Sequence, residues 1–239
     1  MALGVRFSMN KSLFLRDPQE TVLGRKILKH SIEVIDDIGF EAFTFRKLAV
    51  CMDSTEASVY RYFKNKHLLL IYLVCWYWEW VSYLIDIGMN NVRNPHEKLE
   101  IIIHNLVSAT KENPAIDYIN EQLLHRIVIS DGMKAYHTKS VDVENNVGLF
   151  LNYKKLVQKI ADVVLEINPS FPYPHALASN LFEMANNHIF FAQHLPRLTD
   201  IVVLGEQYQE VEEMLKFFAF RILGEHIQFG ETHEKDTEG

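Results

Sequence analysis

Apolar positions recur every three or four residues along most of the chain, and alternation with a period of two is almost absent, so the pattern predicts helices throughout. Leu23, Ile27, Ser31, Val34, Ile35 and Ile38 form one stripe, and Gly39 follows as a left-handed stop. Thr44 suits the N-cap of a short helix, "TFRKLAV". After "CMDS" a third helix opens at Ser54 or Thr55 and ends near Lys64 and Asn65. Three helices in so short a span, the last two joined by a tight turn, have the dimensions of a helix-turn-helix unit.

A fourth helix is expected from about Lys66 to Met89. Its run Leu68–Ile85 has the length of a membrane span, with Glu79 as its only charge. Glu79 lies well inside the run, Asp86 closes it, and the aromatic residues are spread through it instead of gathering at its ends. These features favour a buried core helix. Asn94, Pro95 and Glu97 start a fifth helix, and Asn113-Pro114 repeats the device ahead of one over about 115–129. Residues 130–143 show no period and read as a loop. Helices then fit 144–167, 174–195 and 200–228, separated by "NPSFPYP" and by Pro196. The resulting class is all-α. Residues 1–19 form an amino-terminal arm, 20–67 a small three-helix domain, 68–229 a larger helical domain, and 230–239 a tail too polar to pack.

Charge divides at the same place. The chain carries −7 overall, but residues 1–70 hold 11 cations and 8 acids, 11 − 8 = +3, which leaves −10 for the rest. A basic front on an acidic body fits a small DNA reader joined to another function. Cys51 and Cys75 have no metal or redox spacing and read as small buried residues of a reducing cytosol, which points to a cytoplasmic protein with no disulfide. No motif of nucleotide binding, nucleophilic catalysis or zinc proteolysis is present, and none of the 11 histidines are paired four apart. An enzyme, a metal site and a cofactor are therefore not expected.

The stretch "STEASVYRYFKNKHLLL", residues 54–70, carries the chemistry. Val59 and Phe63, four apart, should point into the small core. Glu56, Ser58 and Arg61 then tend outward, with Tyr60 beside them and Thr55 at the helix end. Hydroxyls, a cation and free helix-end amides are the donors that phosphate oxygens accept. Tyr60 and Tyr62 can reach phosphates with their phenol tips, Lys66 can pair with the DNA backbone, and Arg46 can cover the neighbouring strand.

The longer segment "GFEAFTFRKLAVCMDSTEASVYRYFKNKHLLL" resembles the DNA-binding signature of the tetracycline-repressor (TetR) family over residues 20–70 or so. The resemblance implies DNA contacts, mostly to phosphates, at Thr44, Arg46, Thr55, Ser58, Tyr60, Tyr62 and Lys66. Asp53 stands where the family usually has Gly, and Ser54 where it usually has an apolar residue; Asp tolerates the left-handed turn this position needs. Glu56 would repel phosphate or accept from a cytosine amine. The resemblance further implies a homodimer through the last two long helices, with Ala176, Ala178, Ser179 and Ala185 allowing close approach and Phe217, Phe218 and Phe220 supplying bulk.

It also implies an effector cavity, for which the candidates are Trp76, Trp80, Tyr83, His104, His125, Phe150, Tyr153 and Asn187. Aromatic walls with a few polar groups suit a small, largely apolar or aromatic molecule. The expected function is a one-component regulator, a repressor that binds a palindromic double-stranded operator and is released by that effector. The rival reading is an all-helical ligand-binding or membrane-surface protein without DNA function.

Overall fold

A computed structural model describes residues 5–109, 116–205 and 207–224. Side-chain caps start the first six α-helices. Thr21 accepts from the Gly24 amide at 2.9 Å to open α1, Val22–Ala42. Thr44 and Thr55 do the same for α2, Phe45–Cys51, and α3, Glu56–Tyr60, from the amides of Lys47 and Ser58. Asn65, Asn94 and Asn120 cap α4, Lys66–Gly88, α5, Pro95–Ser108, and α6, Glu121–Asp131. Each cap satisfies an amide that the helix itself leaves unpaired. The remaining helices are α7, Val141–Asn146, α8, Leu151–Ile167, α9, Pro174–His194, and α10, Gln209–Ile222. Among the described residues there is no strand beyond one isolated bridge, Leu204 to Gln207.

Regular α1 stops at Gly39, whose φ of 74° turns the chain, as its place after the apolar stripe predicts. Asp53 takes φ 50° in the turn between α2 and α3 and so keeps the left-handed conformation expected of it. Four boundaries differ from the sequence pattern, the first being α3, which ends at Tyr60 instead of near Lys64 and Asn65. The helix expected over 115–129 begins only at Glu121, where Asn120 caps it; Asn113 and Pro114 lie outside the described residues. The helix expected over 144–167 is two helices, because Gly148 has φ 77° and a Cβ there would meet Leu151 at 2.9 Å. The last helix starts at Gln209 instead of 200, after an irregular segment with Gly205 at φ 63°. Its expected end over 225–228 and the polar tail over 230–239 lie outside the described residues. Part of the 130–143 loop is a short 3-10 turn, Gly132–Ala135, with α7 opening at Val141.

Helix α4 is the axis of the molecule. By length and hydropathy it could cross a membrane, yet 72% of its most apolar window is buried inside the protein. Helices α5, α6 and α8 and the 3-10 turns Lys11–Leu13 and Gly132–Ala135 pack around it. Glu79, its one internal charge, accepts from the buried Asn152 amide of α8, so the charge sits in a polar contact and not in bare hydrocarbon. Near its end Lys159 of α8 bonds the Ser82 hydroxyl and the Asp86 carboxylate, both at 2.6 Å.

The amino-terminal arm is a packed strap. Phe7, Met9 and Leu13 are buried, and the Phe7 ring meets Trp76 edge-on at 5.2 Å and Tyr83 at 6.0 Å. The Asn10 side-chain amide donates to the carbonyls of Val147 and Gly148, each at 3.0 Å. Further along, the Leu15 amide donates to the Tyr62 carbonyl at 2.7 Å, at the start of the α3–α4 connection. Gln19 exchanges two hydrogen bonds with the Phe7 backbone and holds the strap's fold. Arg6 joins Asp17 and Glu20 across it.

The strap sets a stability test. Phe7→Ala should lower the unfolding free energy by about 3 kcal/mol through lost burial and the cavity left against Trp76. Lys11→Ala, at an exposed strap position, should stay within about 0.5 kcal/mol of wild type. Urea titration of both variants measures the difference.

Candidate nucleic-acid interface and ligand chamber

The three amino-terminal helices close on Ile27, Ile35, Phe43, Leu48, Val59 and Phe63, each of them at most 1% exposed. Val59 and Phe63 therefore point inward, as their spacing predicts. A Lys26 ammonium bond to the Met52 carbonyl, at 2.6 Å, ties α1 to the turn between α2 and α3. The outward faces of α2 and α3 then carry Thr44, Arg46, Thr55, Tyr60 and Arg61, all exposed. Tyr60 is held by an edge-on contact of its ring with Phe45 at 5.0 Å. That packing fixes the ring while the residue keeps 47% exposure, so its hydroxyl is free to meet an acceptor. Glu56 is half-buried beside them.

Three expected contact residues sit differently. The Tyr62 side chain turns inward, 2% exposed, and its hydroxyl lies 2.7 Å from the Thr21 hydroxyl at the α1 cap. Arg16 of the strap stands over its ring, 5.8 Å from the centroid. Tyr62 joins the strap, α1 and α3 and presents no phenol tip to a partner; the reason is its position one residue before Phe63, where the chain is already turning into the core. Ser58 is also buried, and its hydroxyl pairs with that of Thr55 at 2.8 Å and receives a longer bond from Arg61 at 3.4 Å.

Lys66 is engaged most completely. Its ammonium donates to the carbonyls of Phe40, Glu41 and Phe43 at 2.9, 3.0 and 3.1 Å and lies over the Phe40 ring. These carbonyls belong to the turn that follows Gly39, so the cation satisfies the end of α1 from the start of α4. Lys47, which sequence reasoning left out, is exposed on α2 and donates to the Ala42 carbonyl at 2.8 Å. Only its place within the short capped helix could have signalled it.

Cys51 corrects a further expectation. It is exposed at the end of α2, with its sulfur 3.8 Å from the His30 ring, while Cys75 is buried and donates to the Leu149 carbonyl at 3.2 Å. Burial pushes the Cys75 thiol well above its ordinary pKa, so it stays protonated and inert.

The expected cavity residues separate into four places, because α4 is buried on every side. Trp76 and Trp80 stack at 6.1 Å under the strap, with Tyr83 5.8 Å from Trp80; the Trp80 indole N–H donates to the Ala109 carbonyl at 3.2 Å. His125 of α6 stacks on Tyr77 at 5.6 Å with Tyr208 edge-on at 5.7 Å. Phe150 packs against Tyr136 on another side. His104 leaves the set altogether: it faces outward from α5 and pairs with Glu212 of α10 at 2.9 Å. Its spacing from Leu99, Ile103 and Leu106, which are buried, puts it on the opposite face of the helix.

Tyr153 and Asn187 do come together. Asn187 lines a chamber between α4, α6, the turn after it and α9, and Tyr153 of α8 stands behind its wall, stacked on Trp78 at 4.5 Å. The void there is ≈ 10 Å³, bounded by Met133, Glu183, Asn186 and Asn187 among others. That is room for about one water molecule. Tyr136 and Glu183 are among the chamber residues the sequence did not single out. An aromatic run on α4 gives no sign of which ring faces which neighbour.

The chain thus presents an all-helical fold with a capped helix-turn-helix at one end and a large helical body behind it. Residues 27–73 match the model of the bacterial regulatory proteins, tetR family, over α1 to the first part of α4. Residues 27–73 thus carry the amino-terminal DNA-binding domain of the tetR family. No curated protein gives a significant match. Among solved structures it is similar to a tetR-family regulatory protein from Rhodococcus RHA1, at 15% identity and a TM-score of 0.59 over 85% of this chain and 98% of that one. It is similar as well to AibR in complex with isovaleryl coenzyme A and operator DNA, at 15% identity and 0.56 over 81% and 97%. The superantigen PfiT shares the fold too, at 13% identity and 0.54 over 82% and 93%. The shape of the whole is thus common to proteins with different roles, and the helix-turn-helix match carries the assignment.

Among the described residues no cluster of three His, Cys, Asp or Glu could hold a metal ion.

Two expectations follow. Tyr62→Phe removes the bond to Thr21 and should lower stability by about 1 kcal/mol, without changing the salt dependence of DNA binding. Parallel urea and salt titrations read the two effects. His125 supplies a pH dependence: fully buried, with neither ring nitrogen bonded, it has its pKa lowered from 6.5 to about 4 by desolvation. Between those values the unfolded chain binds a proton that the folded chain does not, so stability present above pH 6.5 is lost as pH falls toward 4. The stability gap between wild type and His125→Phe should shift by about 3 kcal/mol across that window, measured by urea unfolding at a series of pH values.

Proposed function

We propose that the protein is a repressor that binds a palindromic operator as a homodimer and is released by a small, largely apolar or aromatic effector. The observation that carries this reading is the link between chamber and reader. The chamber wall formed by Val128, Ile129, Gly132 and Met133 belongs to α6 and the turn after it. The same helix holds α1: Arg126 makes a two-pronged pair with Asp36 at 2.8 and 2.7 Å, and Asp131 accepts from the Phe40 amide at 3.4 Å. Lys134, on the turn itself, bridges Asp131 and Glu41. A ligand that widens the chamber displaces the wall on which α1 is seated. It shifts the population toward that state by its differential affinity and withdraws the reading helices from their spacing. Helix α4 provides a second route, because it runs from Lys66 at the reader to Trp78 in the chamber.

In this reading Thr44, Arg46, Thr55, Tyr60 and Arg61 contact the operator, mostly at phosphates, with Glu56 at its edge. The domain division is the reader over 20–67 and the effector and dimerisation body over 68–229, in the cytoplasm. The dimer surface is the outer side of α9 and α10. Phe217 and Phe218 are each 37% exposed and Ile222 is 53% exposed, an apolar cluster that a second subunit would cover. Ala178, Ala185 and Phe220 are buried within the subunit and drop out of the expected dimer contacts, whereas Ala176 remains exposed.

Selection from a random duplex pool should return a two-fold symmetric site. Arg46→Ala should lower the slope of log affinity against log salt by about one. Phe218→Asp should turn a dimer into a monomer by light scattering and weaken operator binding at least about tenfold, with helix content unchanged. Selection of no sequence, or a wild-type monomer that binds its operator tightly, would sink the proposal.

A further inference from the structure

The chamber contains a charge that an apolar effector leaves unused. Glu183 of α9 enters a wall made of Trp78, Tyr136 and Phe182, with Tyr153 behind it. Trp78 lies 4.5 Å from Tyr153 and 6.2 Å from Tyr136, and Tyr153 lies 5.5 Å from Phe182. The hydroxyls of Tyr136 and Tyr153 both donate to one carboxylate oxygen, Oε1, at 2.5 and 3.2 Å. Burial, followed by the bond to Glu183 for Tyr136 and the charge of Glu183 for Tyr153, raises both phenol pKa values, so each remains a donor at neutral pH. Among the described residues, no Lys, Arg or His pairs with Glu183, and its Oε2 has no protein partner.

Two more groups at the same void lack partners. Asn186 Oδ1 and the Trp78 indole N–H are buried with no hydrogen bond, and both residues line the space beside Glu183. Glu183 is half-buried, with two phenol donors and no counter-charge, and an unbonded buried amide oxygen beside it adds a desolvation cost. Aromatic faces offer negative potential, so rings, carboxylate and amide oxygen all favour the same sign of ligand.

We propose that this chamber takes an organic cation, a quaternary or protonated amine on an apolar body, with Glu183 as its counter-charge and Trp78, Tyr136 and Phe182 as its wall. The inference rests on the reading of this chamber as the effector site. The void of ≈ 10 Å³ must widen to admit such a molecule. Met133 is the side chain placed to give way: it is unbranched, 42% exposed, and set on the 3-10 turn that closes one side. That turn carries Lys134, whose bonds reach Asp131 and Glu41, so widening acts on the seat of α1.

The test uses the full chain and Glu183→Gln, which keeps an acceptor for both tyrosines and removes only the charge. The probes are 4-hydroxyphenyltrimethylammonium, its neutral isostere 4-tert-butylphenol, and isovaleryl coenzyme A as an anionic ligand, each titrated by calorimetry. Wild type should bind the cation at least about tenfold tighter than the isostere. Glu183→Gln should lose that preference while binding the neutral phenol as wild type does. Equal binding of the two phenols, no binding of the cation, or a preference that survives in Glu183→Gln overturns the inference. Operator affinity of the same samples separates the two proposals. Operator binding released by isovaleryl coenzyme A and not by the cation would leave the regulator reading standing and overturn this one. A Glu183-dependent cation preference in a protein that selects no operator would do the reverse.

Discussion

The constraint on which the rest depends is that α4 has no outer face. A helix buried on one side can be amphipathic and rigidly oriented by its polar stripe. One that is surrounded must instead be positioned by the shapes of its neighbours. Here the surrounding helices and the strap provide that shape, and the few polar groups on α4 are handled individually, Glu79 by Asn152 and Trp80 by the Ala109 carbonyl. Because the same rod begins at Lys66, where three carbonyls of the α1 turn converge on one ammonium, the position of the reader is set by the packing of the body. Close-packed interiors do not deform smoothly, so a change around α4 is transmitted as a displacement and not absorbed.

This arrangement accounts for the division of labour among residues that look alike in sequence. Tyr60 and Tyr62 are two apart, yet one lies on the surface against Phe45 and the other is inside on Thr21. Trp76 and Trp78 are also two apart, and one meets the strap while the other meets Tyr153. On a helix, positions two apart lie about 200° around the axis, so Trp76 and Trp78 serve opposite surfaces, while Tyr62 lies in the turn after α3, which carries it inward. The polar groups left unbonded in the body, on Tyr77, Trp78, His125 and Asn186, mark where apolar packing was kept at the expense of hydrogen bonding.

Much of the reader was legible in the sequence, because it is built from local signals. Thr44 and Thr55 cap, Gly39 and Asp53 turn, and Val59 with Phe63 point inward, each decided within a few residues. The body was legible only as a count of helices. Which ring of α4 faces α6, α8 or the strap depends on partners dozens of residues away, and no local rule specifies it. Hence His104 was grouped with a pocket although its partner Glu212 lies on the surface of α10. Lys66 and Tyr62 show a related effect: their chemistry suits phosphate, while in the folded chain backbone carbonyls and the Thr21 hydroxyl engage them. Gly148 shows the opposite case, a single residue that breaks a helix and could have been weighted more heavily from its conformational freedom alone.

The strap has a consequence for how the chain comes to be folded. Asn10 and the carbonyls that hold it are 137 and 138 residues apart, so during synthesis this anchor forms only after residues 147 and 148 emerge, long after α1 to α4 are complete. Contacts of such long range form late, after the loop they close has been ordered by other interactions. Until then Phe7 can rest on Trp76 and Tyr83 of α4 only without the Asn10 anchor. A bulky fusion placed directly before this segment would compete with docking and leave Trp76 uncovered, and the product would be prone to association through that face.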